Sequence, residues 1–277
     1  MTDSAQVLVF DSGVGALSII AEIKQQIPLC SITYASDNAY FPYGDKDEAS
    51  LIERVDRVLK CLETKVRPDI IVVACNTAST VALPKIRDHF KIPTVGVVPA
   101  IRPAAQQSKT KVIGLLATPG TVARAYTREL IDKFASDCTV IGVGSSELVR
   151  QAERKLRGQA MDYAVFDQVL TKIFGAERGA EVDTVVLACT HFPLLKDELV
   201  AASPRRVDWI DSGAAIARRV SYWIDENRLS LTDAPRYRGI FTAPLAECEH
   251  FSQTLNKLLP GPIETITVPT AAPNRRP

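Results

Sequence analysis

The sequence predicts an α/β fold of parallel strands, and three of its features carry that expectation. Short runs rich in Val, Ile and Leu alternate with longer amphipathic stretches along almost all of the 277 residues, which is the rhythm of strands joined by helices. Several of the short runs are apolar on both faces, as parallel strands covered by helices on each side must be. The chain also echoes itself: IIVVACNTAS (70–79) matches TVVLACTHFP (184–193), and VFDSG (9–13) matches WIDSG (209–213). Both pairs read as a strand followed by reactive or turn residues at corresponding points of two similar halves whose strand ends face each other.

Taken in order, strands are expected at residues 6–10, 31–35, 69–74, 94–98, 111–117, 138–143, 184–188, 207–210, 238–242 and 264–268. Helices, from apolar residues at three-and-four spacing, are expected at 15–26, 46–64, 78–90, 99–107, 121–135, 145–156, 163–174, 193–202, 214–226 and 245–258. Pro84 falls inside the third helix and predicts a kink or a shorter element. The tail 269–277 has no apolar pattern and is expected to fray.

At this length the chain has room for about two average domains of ~150 residues. With 46% hydrophobic and 23% charged residues, it is neither a disordered chain nor a collagen-like repeat. Lys plus Arg total 33 against 32 for Asp plus Glu, so no basic field exists to hold a phosphate backbone and nucleic acid is not expected as a partner. No stretch approaches the ~20 apolar residues of a spanning helix, and residues 1–6 are polar, so no membrane association and a cytoplasmic location are expected. The six cysteines, at 30, 61, 75, 138, 189 and 248, form no C-x-x-C pair and read as reduced thiols. Most of them need do no chemistry, because free cysteine is readily buried.

In parallel sheets ligands gather beyond the carboxyl ends of the strands, and the residues there are small, polar or nucleophilic. They are Asp11-Ser12-Gly13, then Asp37 leading to Pro42-Tyr43-Gly44, then Cys75-Asn76-Thr77, Thr118-Pro119, and Cys189-Thr190-His191. Cys75 and Cys189 share one address: an apolar strand, an alanine, the thiol, then hydroxyl or amide residues opening a helix. A helix start favours thiolate. Either cysteine alone reads as a buried structural residue; the matched pair reads as function, while Cys30, Cys61, Cys138 and Cys248 lack the context.

Two thiols reaching one cavity from opposite sides suit the removal of a proton from one face of a carbon and delivery of another to the opposite face, which is racemisation. Asp11 is the candidate helper beside Cys75 and His191 beside Cys189. The plainer roles, a helix cap for Asp11 and packing for His191, are compatible with that use. Ser12, Asn76, Thr77, Thr118, Thr121 and Thr190 supply hydroxyls, an amide and helix-start N–H groups suited to carboxylate oxygens, or else simply cap helices. A metal site built from Cys189, His191, Cys75 and Asp11 is the competitor, weakened by a C-x-H spacing that is not a usual zinc pattern. Gly13-Val14-Gly15 lacks the third glycine of a dinucleotide fingerprint, since position 18 is Ser18. No cofactor and no metal are expected.

The motifs FDSGVGALS (10–18), SDNAYFPYGDK (36–46), ACNTAS (74–79), ATPGTV (117–122), ACTHFPLL (188–195) and IDSG (210–213) together resemble, in order and spacing, the glutamate racemases of the cofactor-independent aspartate/glutamate racemase superfamily. The resemblance spans nearly the whole chain. It implies two pseudo-symmetric parallel-sheet domains with the active site between them, one formed by residues 1–97 plus 211–277 and the other by 98–210. It implies interconversion of L- and D-glutamate without pyridoxal phosphate or metal, supply of D-glutamate for peptidoglycan, and a homodimer. By motif position Cys75 looks like the thiol that acts on D-glutamate and Cys189 the one that acts on L-glutamate, helped by Asp11 and His191. Asp11, Ser12, Tyr43, Gly44, Asn76, Thr77, Thr190 and His191 look like the substrate-binding positions.

Two departures are visible. Ala16 replaces a second glycine. In GSSELVRQAERKLRG (144–158), Arg150 stands where relatives carry a glutamate that assists the histidine, and Glu153, about one helical turn on, is the substitute the chain offers. Rival readings are an aspartate racemase, since one methylene is worth only about 1–3 kcal/mol in a pocket, a non-catalytic paralogue that binds an acidic amino acid, and a cysteine hydrolase using one thiol with His191.

Overall fold

The computed structural model describes residues 4–245 and 249–269. In its first sheet β1 (Gln6–Asp11) lies between β2 (Ser31–Ser36) and β3 (Ile70–Val73), with β4 (Thr94–Gly96) beyond β3. The chain then builds a second sheet with β5 (Val112–Ala117) between β6 (Thr139–Gly144) and β7 (Thr184–Leu187), and β8 (Asp208–Ile210) beyond β7. It returns to the first sheet to add β9 (Tyr237–Phe241) beside β2 and β10 (Ile263–Thr265) at the edge. Every pairing is parallel, so each connection crosses over a face of its sheet.

The alternation within each strand decides which helices cover which face. Val7 and Val9 point to a core completed by α1 (Ala16–Gln26), α10 (Gly213–Glu226) and α11 (Glu249–Leu258), whereas Leu8 and Phe10 point to one completed by α2 (Glu48–Val66) and α3 (Asn76–His89). In the second sheet Val112 and Leu116 face α7 (Ser146–Leu156), α8 (Ala164–Phe174) and α9 (Lys196–Ala202). Ile113 and Leu115 face α4 (Ile101–Gln107) and α6 (Ala125–Phe134).

Three expectations are corrected. The helix expected at 121–135 is two elements, α5 (Pro119–Ala123) and α6, separated by Arg124 in an extended conformation. Pro119 at the first helical position and the Thr118 cap start α5 early, and the Thr127 hydroxyl donates to the Thr121 carbonyl at 2.6 Å, occupying the acceptor a continuous helix would have used. Pro84 does not shorten α3, which runs through it. The two sequence echoes also differ in meaning. β2-β1-β3-β4 and β6-β5-β7-β8 have the same order, so β3 with Cys75 corresponds to β7 with Cys189, but β1 corresponds to β5 and not to β8. The repeated Asp-Ser-Gly is a shared local device: both aspartates accept backbone N–H groups at the start of a helix, and those helices, α1 and α10, pack together. Residues 246–248, including Cys248, and 270–277 lie outside the described residues.

Candidate active site

Strand order reverses at β1 in one sheet and at β5 in the other, and a crevice opens at the carboxyl ends of strands around such a point. The two crevices face each other and form one narrow cavity. Ser12, Tyr43, Gly44, Cys75, Asn76, Thr77, Thr118, Cys189, Thr190 and His191 all line it. Two expected residues stand just behind the wall: Asp11 is fully buried, and Thr121 reaches the cavity only through Thr118, hydroxyl to hydroxyl at 2.9 Å. Cys75 and Cys189 are each 7% exposed as residues, and both line the cavity.

Cys75 is the N-cap residue of α3, in extended conformation at the turn between β3 and the helix. Its neighbour Asp11 is held by the backbone: Oδ1 accepts the Ser12 N–H at 2.7 Å and Oδ2 the Ala16 N–H at 2.8 Å. Asp11 therefore caps α1 and faces the thiol at once. Burial pushes the Asp11 carboxyl up to about 6, against the pull of His191 and the two N–H donors. Burial and the adjacent Asp11 charge push the Cys75 thiol well above the usual thiol range, so it holds its proton at neutral pH.

On the opposite side the Cys189 sulfur lies 3.9 Å from Nδ1 of His191. The other ring nitrogen, Nε2, is 3.2 Å from Oε1 of Glu153. Burial acts to lower the His191 pKa, but Cys189 and Glu153 on its two nitrogens outweigh it and raise it well above the ordinary histidine value. Glu153 is itself fixed by accepting the Val14 N–H at 2.9 Å, a bond between the two halves of the molecule. Arg150, at the position flagged in the sequence, turns outward and pairs with Glu147 at 2.7 Å at the rim of the cavity. One helical turn moves a side chain back to the same face, and Glu153 occupies the place beside the histidine.

The Asp-Ser-Gly turn needs its glycines for close approach. A Cβ on Gly15 would lie 2.4 Å from Thr190 Oγ1 and 2.6 Å from His191 Nδ1, and one on Gly13 would lie 2.4 Å from Glu153 Oε1. The buried Tyr34 hydroxyl donates to the Gly13 carbonyl at 2.7 Å and pins the turn. Sequence reasoning missed Tyr34, which sits in a buried strand that gives no sign of a site, and it missed Phe41, whose ring packs against His191 although it lies in the 36–46 motif beside Tyr43 and Gly44. Tyr43 lines the cavity, but its hydroxyl donates to Asp37 at 2.7 Å, and Asp37 is also clamped by Arg54 at 2.6 Å. Its contribution to the cavity is therefore its ring and backbone. Among the described residues no group of three or more His, Cys, Asp or Glu side chains is arranged to hold a metal ion, and no helix is long and apolar enough to cross a membrane.

Known proteins are similar to this chain along most of its length. The sequence model of the Asp/Glu/Hydantoin racemase family matches residues 17–220. A glutamate racemase of Photorhabdus laumondii is 49% identical over 229 residues, 82% of this chain and 79% of the relative. One of Klebsiella pneumoniae is 45% identical over 251 residues, 91% of this chain and 88% of the relative. The crystal structure of Escherichia coli glutamate racemase, a complex with L-glutamate and an activator, superposes with a TM-score of 0.89 at 41% identity, covering 97% of this chain and all of that one. With two parallel sheets, a thiol at the matching turn of each, and this similarity along most of its length, the chain belongs to the Asp/Glu/hydantoin racemase family and stands among its glutamate racemases.

Proposed function

We propose that the protein interconverts L- and D-glutamate by two-base proton transfer, with Cys75 and Cys189 on opposite faces of the α-carbon. The observation that carries this reading is the pair of thiols on one cavity, each backed by a different proton-handling group. In the L-to-D direction Cys189 removes the α-proton, with His191 beside it, and the protonated Cys75 delivers its proton to the other face. In the reverse direction Asp11 takes up the Cys75 proton, the Cys75 thiolate removes the α-proton of D-glutamate, and Cys189, protonated by the neighbouring His191, delivers a proton to the opposite face. The carbanion is never free: proton removal and delivery are flanked by fixed donors, which keeps the charge on carbon small.

The α-carboxylate lies against the N-terminal N–H groups of α3 and the Thr77 and Thr190 hydroxyls. Oδ1 of Asn76, a buried acceptor without a hydrogen-bond partner among the described residues, suits the ammonium group together with Ser12 and Asp11. Gly44, Thr118 and Thr121 close the distal end. Each sheet with its helices is one domain, residues 1–97 plus 211–277 and 98–210. A cytoplasmic homodimer that supplies D-glutamate to peptidoglycan completes the reading, by the same family relationship.

The test is α-proton exchange in heavy water. Cys75→Ser and Cys189→Ser should each lower racemisation by about 10³-fold or more. Cys75→Ser should retain exchange without inversion on L-glutamate, and Cys189→Ser on D-glutamate. Full racemisation by either variant overturns the two-thiol reading, and a hydrolase using Cys189 alone would be indifferent to Cys75.

A further inference from the structure

Few polar side-chain atoms among the described residues are sealed from solvent without a hydrogen-bond partner, and the one cationic atom of that kind near the cavity is Nη1 of Arg124. Arg124 occupies the extended break between α5 and α6, just after the threonines that close the distal end. A Cβ built on Gly120 would lie 3.6 and 3.8 Å from its two Nη atoms and 3.4 Å from the Gly44 carbonyl oxygen. The guanidinium is therefore packed on the contact between Gly44 of the first half and Gly120 of the second. Gly44 in turn abuts Thr118, at 3.5 Å from its own would-be Cβ, and both line the cavity.

Holding a guanidinium donor there without a partner is unfavourable. Burial pulls the Arg124 pKa below the usual arginine value, with the charge of Glu48 opposing it. Arg150, the arginine that lines the cavity itself, is half-exposed and already paired with Glu147, whereas Arg124 stands behind the wall at Gly44 and Gly120. A dicarboxylic substrate brings a second anionic group to this end of the cavity, where Gly44 and Thr118 line the wall and the neighbouring Asp45 carboxylate, which accepts from Ser146, adds no positive charge.

We propose that Arg124 is a specificity-determining residue for the distal carboxylate of the substrate, supplying the positive charge at the Gly44–Gly120 contact that selects an acidic side chain. The inference rests on the reading of the cavity as a glutamate site. Acting equally on bound substrate and transition state, such a charge changes KM and leaves kcat.

The experiment is steady-state racemisation of both enantiomers by the full-length enzyme, Arg124→Gln and Arg124→Lys. Arg124→Gln should raise KM for L- and D-glutamate by the same factor, about tenfold or more, at nearly unchanged kcat, and Arg124→Lys should recover most of the loss. KM within about twofold of the native value, or a fall in kcat at constant KM, overturns the proposal. Native enzyme that racemises glutamate normally confines such a failure to Arg124; native enzyme without that activity removes the glutamate reading itself.

Discussion

At the residue scale, two groups with displaced proton affinities divide the work of the site. Asp11 takes a proton at about 6 in the folded protein against 3.8 for an ordinary aspartate carboxyl. The folded state therefore binds this proton more tightly, so the contribution to stability is present below about pH 4 and is lost as pH rises to about 6. The loss amounts to about 3 kcal/mol, and a comparison of native protein with Asp11→Asn across that range should isolate it. The same titration predicts a fall in kcat/KM below about pH 6, as Asp11 becomes unable to accept the Cys75 proton. Asp11→Asn should abolish that acid limb and lower kcat by about 10²-fold or more. On the other side, Glu153→Gln weakens one of the two contacts that keep His191 charged. Because the equilibrium between enantiomers is unity, kcat/KM must fall equally in both directions, here by about tenfold to a hundredfold. The asymmetry appears instead in the isotope effect, which should grow for α-deuterated L-glutamate more than for the D enantiomer. Equal isotope effects would detach Glu153 from the Cys189 half of the reaction.

At the scale of elements, the site depends on where helices begin. α3 starts at the thiol, α1 starts on the Asp11 carboxylate, and α7 starts at Ser145, whose hydroxyl accepts the Leu148 N–H at 3.1 Å. α7 matters most, because it carries Glu153 inward and Arg150 outward from one short helix. Removing its cap in Ser145→Ala should cost about 1 kcal/mol, seen as a fall in melting temperature of about 2–4 °C. Activity should fall less than in Glu153→Gln, since Glu153 keeps its bond to the Val14 N–H. The register explains why Arg150 misleads a reader of the sequence: Arg150 and Glu153 are three residues apart, and only the helix's orientation on the second sheet says which of them meets His191.

At the scale of the whole molecule, the two sheets meet through contacts that are also site contacts. Ser18 of α1 donates to the Thr190 carbonyl at 2.8 Å, Val14 donates to Glu153, and Ser146 donates to Asp45 at 3.4 Å across the rim of the cavity. The connecting segments are tied where they run side by side, the Ser212 hydroxyl donating to the Val98 carbonyl at 2.5 Å. A ligand seated between the sheets touches both, so it stabilises their association as well as each half. Either enantiomer of glutamate at about a hundred times its Kd should add about 2.7 kcal/mol of stability, measured as a rise in melting temperature. No shift at saturating substrate would place the binding site away from the junction.

The sequence by itself determined the α/β class, the ten strands, the two matched cysteines that line the cavity and most of the polar residues around them, because each of these is written locally. Short Val-, Ile- and Leu-rich runs, several of them apolar on both faces, identify parallel strands, and small polar residues directly after them mark the carboxyl ends where ligands bind. The 74–76 and 188–190 segments carry the internal correspondence without any structure. The Asp-Ser-Gly echo reads just as clearly yet marks no repeat, because a strand-to-helix turn looks the same wherever it occurs. What only the tertiary structure decided is who meets whom: Glu153 with His191, Tyr43 with Asp37 in place of the cavity, Arg124 set against Gly44. Each of those encounters joins residues apart in sequence, one of them, Arg124 with Gly44, across the two sheets, and their partners are chosen by packing and not by neighbours along the chain.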